Sequence, residues 1–190
     1  MSLDQQLFLW IQELTGNSFL DQIMLFFAEY LVIFVPISLI YLWFSERTIQ
    51  RKELTGFTAY STVLSIGLSY AMGLLYFHEN PSATFETIVA HRPENAFPSQ
   101  HTTTILATSL PLIYKEYNKI GGFLLASGLL TGFARIYIGE HWPLDIFGAF
   151  IAAAIGLLIA EFSWEKIEFL WRPLIDYYQE IEGKILKEVL

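Results

Sequence analysis

An all-α, polytopic membrane helix bundle is predicted by three features of the sequence. Hydrophobic residues make up 54% of the chain and charged residues only 16%, whereas charged residues are about a quarter of an average soluble domain. The apolar residues occur in runs long enough to cross a hydrocarbon layer roughly 30 Å thick. Apolar side chains also recur at helical spacing near both ends of the chain, which is typical of amphipathic helices. We therefore expect about five transmembrane helices and one amphipathic helix at each end.

The N-terminal amphipathic helix is predicted over residues 3–14. Its apolar side chains fall largely on one side, and the segment is too short and polar for a span, so it should lie on the membrane surface. The apolar side chains of this stripe are Leu3, Leu7, Leu9, Trp10 and Leu14.

The five predicted spans cover residues 19–44, 57–77, 102–114, 121–138 and 144–162. In the first span, Glu29 should face protein or the interface rather than lipid, and Pro36 should kink the helix. Glycine and serine in the second and fourth spans suit close helix packing. The tail repeats apolar residues at three- and four-residue steps. We therefore divide the chain into a membrane-embedded domain, 1–162, and an amphipathic C-terminal helix, 163–190.

The basic residues predict the orientation in the plasma membrane. Most of them fall in the loop 45–56, the link 115–120 and the tail, which five spans place on one side. The positive-inside rule makes that side cytoplasmic and puts the loop 78–101 on the external face. These basic residues are Arg47, Arg51, Lys52, Lys115, Lys119, Lys166, Arg172, Lys184 and Lys187. The net charge of −8 argues against nucleic acid as a partner, and the lack of cysteine excludes disulfides.

The segment 134–145, A-R-I-Y-I-G-E-H-W-P-L-D, is a polar break between two apolar runs on the external face. His141 and Asp145 share a face if a helix begins near Trp142, where Pro143 suits the first turn. Asp145 would then accept a hydrogen bond from one ring nitrogen of His141 and leave the other free to attack or to take a proton. A polar cluster that only ends two helices is the alternative at this point.

The segment 91–104, H-R-P-E-N-A-F-P-S-Q-H-T-T-T, leads into the third span on the same face. Ser99 supplies a hydroxyl at the predicted helix N-terminus, a place that attracts anions. Arg92 suits phosphate geometry, and His101 can protonate a leaving oxygen. Simple helix capping by Ser99 is the alternative.

Together the two segments predict a phosphoryl-transfer site. Arg135, Ser99 and the helix N-terminus would hold a phosphoryl group. His141 would attack phosphorus, and His101 would protonate the departing oxygen. This chemistry requires no metal and no cofactor, because arginine and backbone dipoles neutralise the phosphoryl oxygens. A zinc site built from His91, His101, His141 and Asp145 is the alternative, although a tight H-E-x-x-H motif is absent from the sequence.

These residues resemble the motifs of the type 2 phosphatidic acid phosphatase superfamily, KxxxxxxRP, PSGH and SRxxxxxHxxxD. The second motif corresponds to 98–101, with Gln100 in the glycine position, and the third to 134–145, with Ala134 in place of serine. The H-W-P-L-D sequence and the stretch 91–101 are similar to undecaprenyl pyrophosphate phosphatases of the bacitracin-resistance type. The resemblance covers most of residues 5–162.

The resemblance implies that His141 forms a phospho-histidine and that Asp145 orients it. It also implies that His101 is the general acid and that Arg135 binds phosphate. Ser99 and Gln100 are the expected substrate-binding residues of the second motif.

The first motif has two placements in this sequence. One puts its arginine and proline at Arg92 and Pro93, and the other puts them at Asn80 and Pro81. The loop length typical of the subfamily favours the second placement, in which Asn80 replaces the arginine and Gly73 replaces the lysine. We therefore expect Asn80 to contact substrate and Arg92 to substitute in part for the missing arginine.

The resemblance thus implies a metal-independent undecaprenyl-diphosphate phosphatase that converts a polyprenyl pyrophosphate to the monophosphate and so recycles the lipid carrier of cell-wall synthesis. One alternative is a phosphatase of phosphatidate, phosphatidylglycerophosphate or a lipid A precursor. Another is a degenerate protein that binds or scrambles lipids without catalysis. The expected partners are the lipid substrate and the membrane lipids, and the sequence leaves the oligomeric state open.

Overall fold

The structure is a computed structural model that describes residues 1–45, 48–90 and 93–189. Within these ranges the chain is helical, and the described β-pairing is an isolated bridge between Glu79 and Asn95. The helices are α1 (Leu3–Gln12), α2 (Ser18–Tyr30), α3 (Phe34–Ser45), α4 (Ile49–Leu75), α5 (Gln100–Tyr114), α6 (Asn118–Tyr137) and α7 (Pro143–Val189), with 3-10 turns at Leu31–Ile33 and Pro81–Ala83. The predicted all-α class is confirmed.

Four helical segments of the described chain are long and apolar enough to cross a membrane. They match the first, second, fourth and fifth predicted spans and cover Ser18–Ser45, Ile49–Leu75, Asn118–Tyr137 and Pro143–Ile181. The predicted third span is α5, which has 15 residues. At ~1.5 Å per residue it is about 22 Å long, shorter than the hydrocarbon layer. The chain is therefore a multi-pass membrane protein with a short fifth helix inside the bundle.

Helix α5 lies at the centre of the bundle, in contact with α4, α6 and α7. Its buried residues include threonines and a serine as well as aliphatic side chains. The hydroxyls are satisfied locally, since Thr108 donates to the carbonyl of Thr104 and Ser109 donates to that of Gly121 on α6. Protein on several sides of α5 thus allows polar side chains at membrane depth.

The first predicted span is divided by the 3-10 turn Leu31–Ile33, which separates α2 from α3. Pro36 has no N–H to donate to the carbonyl of Val32 and lies in the first turn of α3, just after this 3-10 turn. The kink at Pro36 stays a prediction.

Two predicted boundaries differ from the structure. Helix α4 begins at Ile49, inside the predicted polar loop 45–56, because Thr48 caps its first turn by accepting a hydrogen bond from the Arg51 amide. Helix α7 continues without a break across the predicted boundary between 162 and 163. The sequence there changes from apolar to amphipathic but contains no glycine or proline, so the exposed face changes while the helix persists.

The C-terminal part of α7 packs against α3 and α4 at the end of the bundle opposite to the loop 76–99. Trp171 donates its indole N–H to the carbonyl of Lys52 at 3.0 Å. The buried Lys52 ammonium lies 4.4 Å from the centre of the Tyr178 ring and 5.3 Å from that of Trp43. The predicted amphipathic tail therefore packs part of its apolar side, at Trp171, Ile175 and Tyr178, against its own chain, while Leu170 and Leu174 are exposed.

Helix α1 packs against the bundle through a different face from the predicted apolar stripe. Phe8 and Ile11 are buried, and the Phe8 ring lies 4.9 Å from that of Trp142. Gln12 donates to the carbonyls of the last turn of α6. The predicted stripe points outward and is exposed except for the half-buried Leu9. Helix α1 thus has one apolar face against protein and one toward the surroundings, as a surface helix on a membrane requires.

Close packing of α7 on α4 gives a stability prediction. A Cβ on Gly156 would overlap the Ser65 hydroxyl and lie 2.8 Å from the Ser65 Cα on α4. We expect Gly156→Val to lower the free energy of unfolding by about 1–3 kcal/mol through overpacking. Gly67→Val is the matched control, because a Cβ there meets nothing within 4 Å. Thermal unfolding in detergent should show a lower Tm for the first variant than for the second, and equal Tm values would contradict this packing.

Candidate active site

The two polar segments meet at one end of the bundle, where α4 and α6 end and α5 and α7 begin. A cavity of about 490 Å³ lies at this end. Three side chains with predicted chemical roles line it, namely His101, Arg135 and His141. Asn80 and Gln100 line it as well. The structure therefore brings most of the predicted site residues to a single cavity.

The turn between α6 and α7 places His141 beside Arg135. Gly139 adopts φ +86°, a left-handed conformation that glycine reaches at low cost after a helix. The backbone N–H groups of Glu140 and His141 then donate to the Arg135 carbonyl at 3.0 and 3.2 Å. The chain thus folds back over the last turn of α6 before α7 begins at Pro143.

The His141 ring is buried, and both of its nitrogens face named partners. Nε2 lies 3.3 Å from Nη2 of Arg135, and Nδ1 lies 3.5 Å from Oδ2 of Asp145. Because a guanidinium only donates, Nε2 accepts and the proton resides on Nδ1, toward Asp145. This tautomer leaves the lone pair of Nε2 on the side of Arg135.

Two carboxylates surround the buried Arg135 guanidinium. Nη1 lies 3.0 Å from Oε1 of Glu29 on α2, and Nη2 lies 2.9 Å from Oε2 of Glu140. Glu29 therefore faces protein, in agreement with the prediction for a carboxylate in this span. Its other oxygen lies 4.0 Å from Nε2 of His101. Glu29 thus contacts the two side chains that are predicted to handle phosphate.

Ser99 is fully buried and begins α5 without a side-chain cap. Its hydroxyl donates to Oγ1 of Thr102 at 3.1 Å, and its amide donates to the Asp145 carbonyl at 3.2 Å. The residue is absent from the described lining of the cavity. Ser99, the predicted hydroxyl ligand, thus links the start of α5 to the first turn of α7 in the structure.

Two other predicted substrate contacts, Gln100 and Asn80, make hydrogen bonds within the protein. Gln100 donates to the Ser69 hydroxyl at 2.6 Å. The amide of Asn80 donates to the Glu140 carbonyl and accepts from the Ser82 amide, both at 2.8 Å. Asn80 therefore braces the backbone that leads to His141. Arg92 lies outside the described residues.

In the second placement of the first motif Gly73 replaces the lysine, and the structure leaves little space for a side chain there. A Cβ at this position would lie 2.7 Å from the Phe97 carbonyl oxygen. The Gly73 carbonyl also accepts a hydrogen bond from Asn95 at 2.7 Å. The loop before α5 thus packs directly on the backbone of α4.

His78 is the functional candidate that the sequence did not reveal. Its Nδ1 lies 2.7 Å from Oδ1 of Asp145, closer than His141 lies to the same carboxylate. Burial of the ring lowers the pKa of His78, but the hydrogen bond to Asp145 and the charges of Asp145 and Asp4 outweigh it, so the pKa lies above its ordinary value. The 67 residues between His78 and Asp145 leave no spacing signal.

Carboxylates outnumber cations along the cavity wall. The acidic and basic side chains among its described lining residues are Glu94, Glu140 and Arg135, beside the rings of His101 and His141. The described residues contain no group of three or more His, Asp or Glu side chains arranged to hold a metal ion. The chemistry available at this cavity is therefore that of histidines beside one guanidinium.

Comparison with known proteins gives consistent similarities. The family model of the PAP2 superfamily matches residues 56–168, which include both polar segments. The chain is 35% identical over 179 residues to "Undecaprenyl-diphosphatase BcrC" of Bacillus subtilis, covering 90% of this chain and 89% of the relative. It is 31% identical over 160 residues to YbjG of Escherichia coli, named provisionally as an undecaprenyl-diphosphatase, covering 82% and 79% of the two chains.

The fold is also similar to a solved structure, the crystal structure of Aquifex aeolicus LpxE. The TM-score is 0.69 at 26% sequence identity, and the match covers 84% of this chain and 95% of the other. A similarity of this extent includes the helices that carry both polar segments.

Proposed function

The chain belongs to the PAP2 superfamily, and we propose that it removes the terminal phosphate of undecaprenyl or another polyprenyl diphosphate, leaving the lipid monophosphate. The family and the named relatives support a phosphoric ester hydrolase. The observation that carries the proposal is the position of His141, with Nε2 beside Arg135 and Nδ1 toward Asp145, in a cavity that His101 also lines.

The proposed reaction has two steps. In the first, Nε2 of His141 bonds to phosphorus, the bond from phosphorus to the leaving oxygen breaks, and His101 gives that oxygen a proton. In the second, water attacks phosphorus, the bond from phosphorus to nitrogen breaks, and His101 takes the proton back. Arg135 and the backbone N–H groups at the start of α5 stabilise the charge on the phosphoryl oxygens in both steps.

The charge distribution supports a site on the external face of the plasma membrane. Arg51, Lys52, Lys115 and Lys119 lie at the end of the bundle opposite to the cavity. By the positive-inside rule we place that end, with the C-terminal tail, in the cytoplasm. We also propose that residues 1–162 hold the catalytic domain and that helical residues 163–189 brace α3 and α4 from the cytoplasmic side.

A second candidate keeps the chemistry and changes the lipid. The similarity in fold to LpxE, together with a relative named lipid A 1-phosphatase that is 26% identical over 92 residues, favours a lipid A type phosphate as the alternative substrate. The two substrates share a phosphate on a bulky lipid and differ in the group that remains after hydrolysis.

Phosphate release by the purified protein from undecaprenyl diphosphate, phosphatidate and a lipid A 1-phosphate tests the proposal. We expect kcat/KM to be highest for the diphosphate by about tenfold or more, equivalent to about 1.4 kcal/mol. Turnover should persist in excess chelator, because no step uses a metal. Preference for a monophosphate lipid would move the assignment to the second candidate, and loss of activity with chelator would contradict the mechanism.

A further inference from the structure

The carboxylate of Asp145 is shared between two histidines. Its Oδ1 accepts a hydrogen bond from Nδ1 of His78 at 2.7 Å. Its Oδ2 accepts the backbone N–H of Trp142 at 2.7 Å and lies 3.5 Å from Nδ1 of His141. Asp145 is fully buried, so each of these contacts replaces hydration of the carboxylate. The orientation that Asp145 presents to His141 is therefore set largely by His78 and the turn.

His78 is itself held from several sides. Its backbone donates to the Asn95 side chain at 2.9 Å and accepts from the Ala96 amide at 2.8 Å. Its ring stacks on that of Trp142 with centroids 5.6 Å apart and an interplanar angle of 29°. The free ring nitrogen, Nε2, lies 3.8 Å from Oδ2 of Asp4 on α1. The charged groups that face the ring are thus Asp4 and Asp145.

Asp4 also reaches the helix that carries Asp145. Its Oδ1 accepts the backbone N–H of Leu144 at 2.8 Å, in the first turn of α7. A carboxylate at a helix N-terminus satisfies an N–H that the helix leaves unpaired and interacts favourably with the helix dipole. Helix α1 therefore contacts the start of α7 through both a cap and the His78 ring.

We propose that His78 is a positioning residue for Asp145, and that Asp4 supports it from α1, so that the N-terminal helix is part of the catalytic assembly. This inference rests on the proposed roles of His141 and Asp145. The His78 ring, which lies between two carboxylates, holds Oδ1 of Asp145 and so leaves Oδ2 directed at His141. Neither His78 nor Asp4 is among the described residues that line the cavity. We therefore expect substitutions of His78 and Asp4 to change kcat rather than KM.

Two substitutions at His78 separate hydrogen bonding from ring packing. His78→Phe keeps a ring that can stack on Trp142 but has no donor for Asp145. His78→Asn places an amide donor near the position of Nδ1 and loses the ring. We expect kcat to fall about 10- to 100-fold in His78→Phe, as for other groups that orient a reactive histidine, with KM within about twofold of wild type. His78→Asn should recover a large part of kcat.

The pH profile gives a readout that ring packing does not change. Because the pKa of His78 is raised, the cationic form is present at low pH and its contribution is lost as pH rises through that raised value. We expect the part of the wild-type basic limb that comes from His78 to be lost in His78→Asn, which leaves the limb set by deprotonation of the general acid His101. In Asp4→Asn, which keeps an acceptor for the Leu144 amide, the limb should move to lower pH.

The outcomes distinguish this inference from the proposed function. If His78→Phe keeps wild-type kcat, or if it is more active than His78→Asn, His78 acts through packing and the inference is wrong. An unchanged pH profile in both His78→Asn and Asp4→Asn would overturn it as well. If His141→Ala remains active, the proposed function itself fails, whatever the His78 variants show.

Discussion

Replacing His141 with alanine is expected to lower phosphate release by about 10,000-fold or more, the scale seen when a nucleophile of a coupled catalytic group is removed. In the proposed reaction Nε2 of His141, which lies beside Arg135 in the cavity, forms the bond to phosphorus. The measurement is phosphate release from undecaprenyl diphosphate by purified protein in detergent. Acid-labile phosphate should remain on the wild-type protein after rapid quenching and be absent from the variant.

Because His141 is buried, its replacement could lower activity by destabilising the fold. The control is therefore the thermal stability of the variant. His141→Gln keeps an acceptor near Arg135 but cannot form a stable bond to phosphorus. It should melt close to the wild type and be as inactive as His141→Ala. Turnover by the glutamine variant within about tenfold of wild type, a difference of about 1.4 kcal/mol in activation free energy, would show that His141 is not the nucleophile.

Removing the charge of Arg135 should have the second large effect, on both activity and stability. We expect Arg135→Gln to lower kcat/KM about 100- to 1,000-fold, as when a charge-stabilising donor is lost from a transition state. The variant should also be less stable by about 3–5 kcal/mol, because the largely buried Glu140 loses its partner. Phosphate release and thermal unfolding measure the two effects separately.

A double variant separates the two roles of Arg135. Arg135→Gln with Glu140→Gln removes both charges of the pair and lets the two amides hydrogen-bond to each other. We expect it to regain most of the lost stability while the activity stays low. Recovery of activity along with stability would mean that Arg135 supports the fold and does not act on substrate.

Much of the candidate site follows from the sequence because it is local. His141 and Asp145 are four residues apart at the start of a helix, so their relative position is set by helix geometry. Arg135 lies in the last turn of α6, and the folded-back turn needs only Gly139. The all-α class follows from the apolar runs for the same reason, since each helix satisfies its own backbone in a membrane.

The features that the sequence did not reveal depend on packing between distant segments. Ser99 has the sequence of an exposed cap, but α5 is the innermost helix and α7 covers its start. His78 meets Asp145 only because the loop after α4 folds over the beginning of α7. The sequence also did not reveal the buried face of α1, because Phe8 and Ile11 lie outside the predicted apolar stripe. Such contacts require the relative positions of helices, which periodicity does not encode.

The contact of Glu29 with Arg135 and His101 has a consequence for turnover. A phosphoryl group that binds to those two side chains takes the position of the Glu29 carboxylate, so binding becomes an exchange of one anion for another. The Glu29 side chain is 45% exposed and can turn outward when it is displaced. In the proposed reaction, the Glu29 carboxylate therefore competes with the phosphate of the substrate and, by the same contacts, with the phosphate that is released.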